Sequence, residues 1–327
     1  MRARGTTART SVHIAMSFVV LLFAGCATLS PDTGPTGSVP DVVIDTTAPA
    51  DVPKPPQLPP VAIVLTSNQA AYADVATELA HHFEDIVVYD LSDKSRPPVS
   101  VLRSINDSKS VAVLAIGLRA AQSSVAMSDV PVVFSQVFNH QDYDLVDDKS
   151  RGVAALAPLA AQLKVWKKID PTLTRIGLII GEGHDDLIAE AEVAAAELDL
   201  ELRVRIAHSD QETLFFFRRM VRDIEGFWLF PDNRILSARV LKQMLDEANR
   251  QQVPVTVPNE SMLAMGAAIS ISTVASDIAE TIVRIVRRIQ DGEIDKVPPI
   301  TRLSEIRVRT NDDVLKKHTI AKTAGKP

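Results

Sequence analysis

The run Val111-Ala112-Val113-Leu114-Ala115-Ile116 holds six consecutive apolar residues, and no other stretch constrains the fold as tightly. A strand exposed on one face alternates apolar and polar side chains, so an unbroken run bounded by turn residues belongs to a strand covered on both faces. The same signal recurs along the chain. Strands are predicted at 61–65, 86–89, 111–116 and 131–135, with helices near 69–83, 98–106 and 118–127 between them. After the polar segment 139–150 and a helix near 154–168 the alternation restarts, with strands at 175–180, 201–206, 227–230 and 253–257 and helices near 185–198, 211–224 and 236–250. Alternation of this kind specifies an α/β fold made of two similar doubly wound parallel-sheet lobes. The second half repeats the first in architecture without a repeat of fixed period, which excludes a solenoid.

The last sixty residues break the pattern. A strand is expected at 267–272, a long helix at 274–290, a break at Pro298-Pro299, a strand near 303–308 and a final helix at 312–318. In the long helix Val274, Ile278, Ile282, Ile285 and Ile289 share one face, and Asp277, Glu280, Arg284 and Arg288 point away from it. Such an ending lets the chain cross back between the lobes through a hinge of two or three strands. The reading assigns 61–157 plus 268–298 to lobe 1, 158–267 plus 299–320 to lobe 2, and 321–327 to a tail. In Phe215-Phe216-Phe217 only Phe217 joins the apolar stripe of Leu214, Val221 and Ile224, which sets Phe215 and Phe216 toward its edges, under a neighbouring loop.

Before Val61 the sequence has a different character. Arg2, Arg4 and Arg9 precede the eleven-residue apolar segment 14–24, far short of the roughly 20 residues that span a bilayer. Ala24 and Gly25 then offer small side chains before Cys26, the only cysteine in the chain, which cannot form an internal disulfide. This is the pattern of a lipoprotein signal peptide over 1–25, cut before Cys26, whose thiol accepts lipid. Residues 26–60, rich in Pro, Thr, Asp and Gly, read as a disordered tether, and at about 3.1 Å per residue it reaches on the order of 100 Å. The expected location is the bacterial envelope, facing the periplasm. Ala27, in place of an aspartate, points to the outer membrane if the host is Gram-negative.

Removing three basic residues and no acid with the leader leaves 32 basic against 41 acidic side chains, a net charge of −9. Nucleic-acid binding needs clustered Lys and Arg, which this chain lacks. A monomer is expected. The chain also lacks an H-E-x-x-H pair, a G-x-S-x-G elbow and any Cys/His ligand spacing, so neither a metal, a cofactor nor a catalytic residue is assigned. In Gly181-Glu182-Gly183 the third glycine of a dinucleotide loop falls on Asp186, which excludes a nucleotide there.

In an open parallel sheet, ligands bind beyond the carboxyl ends of the strands. The candidate ligand-binding residues are Ser67, Asn68, Gly117, Ser135 and Gln136 in lobe 1 and His184, Asp232, Asn233 and Asn259 in lobe 2. They suit a small polar or zwitterionic molecule: Asp232 would pair with an amine, and Ser67 and Ser135 would bind a carboxylate. The same residue types also serve as turn and N-cap residues after strands, and both readings stand at this point.

Over 61–320 the chain resembles the periplasmic-binding-protein type I fold and, within it, the ABC transporter substrate-binding family that includes receptors for tryptophan and other aromatic amino acids. The resemblance rests on Ala115-Ile116-Gly117, Pro131-Val132-Val133-Phe134, Ile169-Asp170-Pro171 leading to Arg175-Ile176-Gly177, Leu229-Phe230-Pro231-Asp232-Asn233, Ala248-Asn249 through Val253-Pro254-Val255, and Ile306 to His318. The family's Asn-x-Thr-Gly signature is replaced by Arg151-Gly152-Val153-Ala154-Ala155, and no histidine follows Thr66-Ser67-Asn68. The resemblance implies a solute receptor that closes its lobes over a small molecule, an amino acid among the candidates, and presents it to an ABC permease. The alternative is an envelope sensor or scaffold lipoprotein that regulates another membrane protein by contact.

Overall fold

A computed structural model describes residues 58–323. The expected leader, Cys26 and all but the last residues of the tether lie outside the described residues. Lobe 1 is built from β1 (Val61–Leu65), α1 (Ala70–Ala80), β2 (Ile86–Asp90), α2 (Pro98–Asn106), β3 (Ala112–Ile116), α3 (Leu118–Met127), β4 (Val132–Ser135) and β5 (Ser150–Val153). Lobe 2 follows with α4 (Leu159–Ile169), β6 (Arg175–Ile180), α5 (Asp185–Ala196), β7 (Glu201–Ile206), α6 (Asp210–Met220), β8 (Gly226–Trp228), α7 (Ala238–Gln251), β9 (Val255–Val257) and β10 (Ile269–Ser272). The chain then returns through α8 (Ala275–Gln290), β11 (Ile300–Thr301), β12 (Arg307–Thr310) and α9 (Asp312–Thr323).

Each lobe holds a six-stranded sheet, ordered β11-β5-β4-β3-β1-β2 and β12-β10-β9-β8-β6-β7. Every pairing is parallel except β10 with β12. All five residues of β1 and of β3 are buried, as unbroken apolar runs require. The lobe 1 sheet packs on one face against α1 and α8, through Leu79, Ile278, Ile282 and Ile285. Its other face meets α2 and α3 through Leu102, Ile105 and Ala120. The lobe 2 sheet is covered likewise by α6 and α7 on one side and by α4, α5 and α9 on the other. Trp228 of β8 donates its indole N–H to Gln162 Oε1 at 3.0 Å, and Gln162 Nε2 donates to the Ala157 carbonyl at 2.7 Å, so the polar atoms of this buried pair are satisfied.

Three crossings join the lobes, after β5, after β10 and between β11 and β12. The assignment of 268–298 to lobe 1 and 299–320 to lobe 2 is corrected at both ends. β10 pairs with β9 in the lobe 2 sheet, and β11 pairs with β5 in the lobe 1 sheet. β5 and β11 carry no apolar run. Ser150 is held by Asp147 and the Leu145 carbonyl, and Arg151 by the carbonyls of Val297, Asp147 and Ser150. Asp277, expected on the solvent side of α8, is buried because its carboxylate accepts from the backbone of Ser304 and Glu305 and from the Ser304 hydroxyl. Phe217 is fully buried, whereas Phe215 is 52% exposed and lies under Arg219 instead of a loop.

Candidate functional site

The carboxyl ends of the two sheets face each other, and the residues just past the strands build the space between the lobes. One cavity of about 260 Å³ is walled from lobe 1 by Gln69, Tyr72, Gln136, Phe138 and Tyr143 and from lobe 2 by Asn233, Asn259 and Met262, with Ala155 and Thr273 on the crossings. Among the described residues no Asp, Glu, Lys or Arg lines it. A second, of about 540 Å³, lies toward the β5 and β11 crossings, between Phe138, His140, Leu156, Leu159, His184, Leu187 and Arg302. Its acidic members are Asp185, Asp186 and Glu190, the last of which pairs with Arg302 at 2.7 Å.

Of the nine candidate ligand-binding residues, Gln136, Asn233 and Asn259 line the smaller cavity and His184 the larger. Gln136 sits in the left-handed region, φ 59°, immediately after β4. Such backbone strain is held at sites where the surroundings over-determine it. Asn259 also accepts from Ser261 N at 2.9 Å, so the turn role and the lining role coexist in one residue. Gly117 shapes the wall from beneath: at φ 86° it is costly for any other residue, and a Cβ there would stand 2.7 Å from the Tyr72 ring and from Thr66 Oγ1. Ser67 and Asn68 border neither cavity. Ser135 is fully buried, and among the described residues its hydroxyl finds no partner, so a ligand carboxylate does not reach it in this arrangement.

Asp232 is the main correction. Its carboxylate, 1% exposed, does not await a ligand amine, because both oxygens are bonded within the protein. Oδ1 accepts from Arg234 Nε at 2.9 Å, Arg234 N at 3.1 Å and Asn139 Nδ2 at 2.9 Å. Oδ2 accepts from an Arg234 terminal nitrogen at 2.8 Å and from Gly181 N at 2.9 Å. Burial works to raise the Asp232 pKa, and the bonds from Arg234, Asn139 and Gly181 outweigh it and hold the carboxyl below its ordinary value. Gly181 leaves the room for this: a Cβ there would come within 2.6 Å of both Asp232 Oδ2 and the guanidinium.

The network spans the lobes. Asn139 and Asp142 follow β4, whereas His184, Asp232 and Arg234 belong to lobe 2. The second terminal nitrogen of Arg234 lies 3.1 Å from each oxygen of Asp142. Asn139 Nδ2 also donates to Asn233 Oδ1 at 2.9 Å. With its amide hydrogens facing oxygens, Asn139 must turn Oδ1 toward His184, so His184 Nε2 carries the proton and donates at 2.9 Å. Phe138 stacks on His184 with centroids 4.7 Å apart and meets Phe230 edge-on at 6.2 Å. Burial and then repulsion from Arg234 push the His184 pKa down, which keeps the ring neutral. The sequence reading missed Asn139, Asp142, Arg234, Gln69, Tyr72 and Tyr143. Gln69 lies one residue beyond the loop singled out after β1, and Arg234 lies two past Asp232.

Among the described residues no group of His, Cys, Asp or Glu stands close enough to hold a metal ion, and no helix is long and apolar enough to cross a membrane.

No curated protein matches the chain in sequence. Solved structures match its fold at low identity. An open, ligand-free substrate-binding protein with adhesive properties from Clostridium difficile superimposes with a TM-score of 0.60 at 15% identity, over 80% of this chain and 95% of that one. The ABC domain of a Streptococcus pneumonia protein, in complex with L-Trp, gives 0.57 at 15% identity over 79% and 94%. A conserved domain protein from Vibrio cholerae gives 0.56 at 17% identity over 80% and 95%. These likenesses establish the two-lobed periplasmic-binding-protein type I fold. The profile of the family described as ABC transporter substrate binding protein matches residues 81–323, about three-quarters of the chain. The chain therefore belongs to the ABC transporter substrate-binding protein family.

Proposed function

We propose that this chain is a lipid-anchored, extracytoplasmic solute receptor that closes its lobes over a small uncharged polar molecule and delivers it to an ABC permease. The observation that carries the reading is the cavity of about 260 Å³ whose wall comes from both lobes and whose polar groups are amides, hydroxyls and phenols. A ligand touching both walls favours closure by the contacts it loses when the lobes part. A volume below the usual range of 300–1,000 Å³ fits a small solute, and Tyr72, Phe138 and Tyr143 offer aromatic faces for a planar group. The Tyr72 phenol, raised by burial against an opposing bond to Gln69, stays a neutral donor. The zwitterionic part of the expectation loses its chief support because Asp232 is already paired.

Anchoring at Cys26 and, if the host is Gram-negative, outer-membrane sorting through Ala27 belong to the same proposal and rest on the sequence alone. The test has two parts. Mass spectrometry of small molecules released from purified, denatured protein should recover an uncharged polar solute that raises the melting temperature when returned. A broad metabolite screen with no thermal shift counts against the receptor role. Metabolic labelling with palmitate should tag the full chain and not Cys26→Ser, and equal labelling of both refutes the anchor.

A further inference from the structure

We propose that Arg234 determines ligand specificity by filling, from within the chain, the place beside Asp232 that the ammonium group of an amine or amino-acid ligand would take. The inference rests on the receptor reading and deepens it by naming the class of ligand turned away: molecules that carry a free ammonium group.

A buried carboxylate needs a cation or a full set of donors. Asp232 lies between Pro231 and Asn233, both of which line the smaller cavity, while its own carboxylate is 1% exposed and borders neither cavity. Arg234 supplies the cation. Its planar fork takes both oxygens of Asp232 at 2.9 and 2.8 Å, the geometry in which Arg–carboxylate pairs are strongest. The place is built for it, since any side chain at Gly181 would collide with the guanidinium and the carboxylate together. The same guanidinium reaches Asp142 across the cleft at 3.1 Å, so one internal cation touches both lobes, as a ligand cation would. An ammonium group entering the smaller cavity meets no carboxylate of the described residues there. In the larger cavity Asp185 and Asp186 are solvent-exposed and Glu190 is paired with Arg302.

Arg234→Gly would leave a slot of guanidinium size between Asp232 and Asp142. Methylguanidinium or ethylammonium chloride at millimolar concentration should raise the melting temperature of this variant by several degrees, sodium chloride at equal concentration should not, and the wild type should respond to neither cation. Calorimetry should show the variant binding at least one L-amino acid or primary amine at least tenfold more tightly than the wild type. A variant that responds to the two cations no more than to sodium chloride overturns the proposal. The wild-type arm stands on its own if the variant does not fold: wild-type protein that binds an L-amino acid and loses it on N-acetylation also overturns it. If the wild type binds no solute while the variant binds ethylammonium, the receptor reading fails and the role of Arg234 stands. If the wild type binds a neutral solute and the variant gains no cation, the reverse holds.

Discussion

Replacing Asn139 with alanine should open the two lobes. The Asn139 side chain, 3% exposed, donates to Asp232 and Asn233 and accepts from His184, and all three partners belong to the other lobe. When the lobes part, water takes over these bonds, so their net worth lies at the lower end of the usual ranges. The bond to the ionised Asp232 then contributes about 1.5 kcal/mol and each neutral bond about 0.7 kcal/mol. Their loss amounts to about 3 kcal/mol, which is about a hundredfold in the ratio of closed to open molecules. Distance distributions between spin labels at exposed Asp107 in lobe 1 and exposed Glu197 in lobe 2 would report that ratio directly. The substitution should move most of the population to longer distances without ligand, and a bound solute should draw part of it back. An unchanged distribution in Asn139→Ala would refute the reasoning, because these bonds would then not be what holds the lobes together.

Other substitutions test other parts of the argument. Gly117→Ala places a Cβ 2.7 Å from the Tyr72 ring at a backbone angle that suits glycine, and should weaken solute binding about tenfold or more, with Tyr72 displaced. Unaltered affinity in a titration would remove Tyr72 from the site. Gln162→Leu strands the buried Trp228 N–H and the Ala157 carbonyl and should lower stability by about 2–4 kcal/mol in chemical denaturation. Stability should also fall in acid. The His184 pKa lies below its ordinary 6.5 in the folded chain, so between those values the unfolded state binds the proton and the folded state does not. The melting temperature should therefore be steady above pH 6.5 and decline below it, with a shallower decline in His184→Gln. The depressed Asp232 carboxyl contributes stability above 3.8 that is lost as the pH drops through its lowered value.

Much of the architecture could be read directly from the residues. The runs at 61–65 and 175–180 are strands with the predicted bounds, because they are buried and paired on both sides, and the run at 201–206 keeps its predicted bounds as an edge strand paired with β6 alone. β5 and β11 escaped notice because their burial depends on local bonds to Ser150 and Arg151 and on pairing with each other, neither of which leaves an apolar pattern. The site was half legible. Position after a strand pointed to Gln136, Asn233 and Asn259, which border the smaller cavity, to His184, which borders the larger, and to Asp232, whose carboxylate is bonded within the protein. It could not show that Arg234 folds back over Asp232, or that Asn139 meets it from 93 residues away. Contacts of that separation are set by the assembled fold and leave no spacing to read.

The return of α8 to pack on α1 bears on how the molecule is made. A chain emerging from the ribosome N-terminus first delivers α1 and the first five strands early, yet the helix that covers Leu79 and the β1 face arrives about 200 residues later. Lobe 2 can complete both faces of its sheet before β12 and α9 only in part, and lobe 1 cannot close its core until Ile278, Ile282 and Ile285 have been synthesised. The growing polypeptide thus leaves the β1 face of lobe 1 without its second covering helix until α8 has been made.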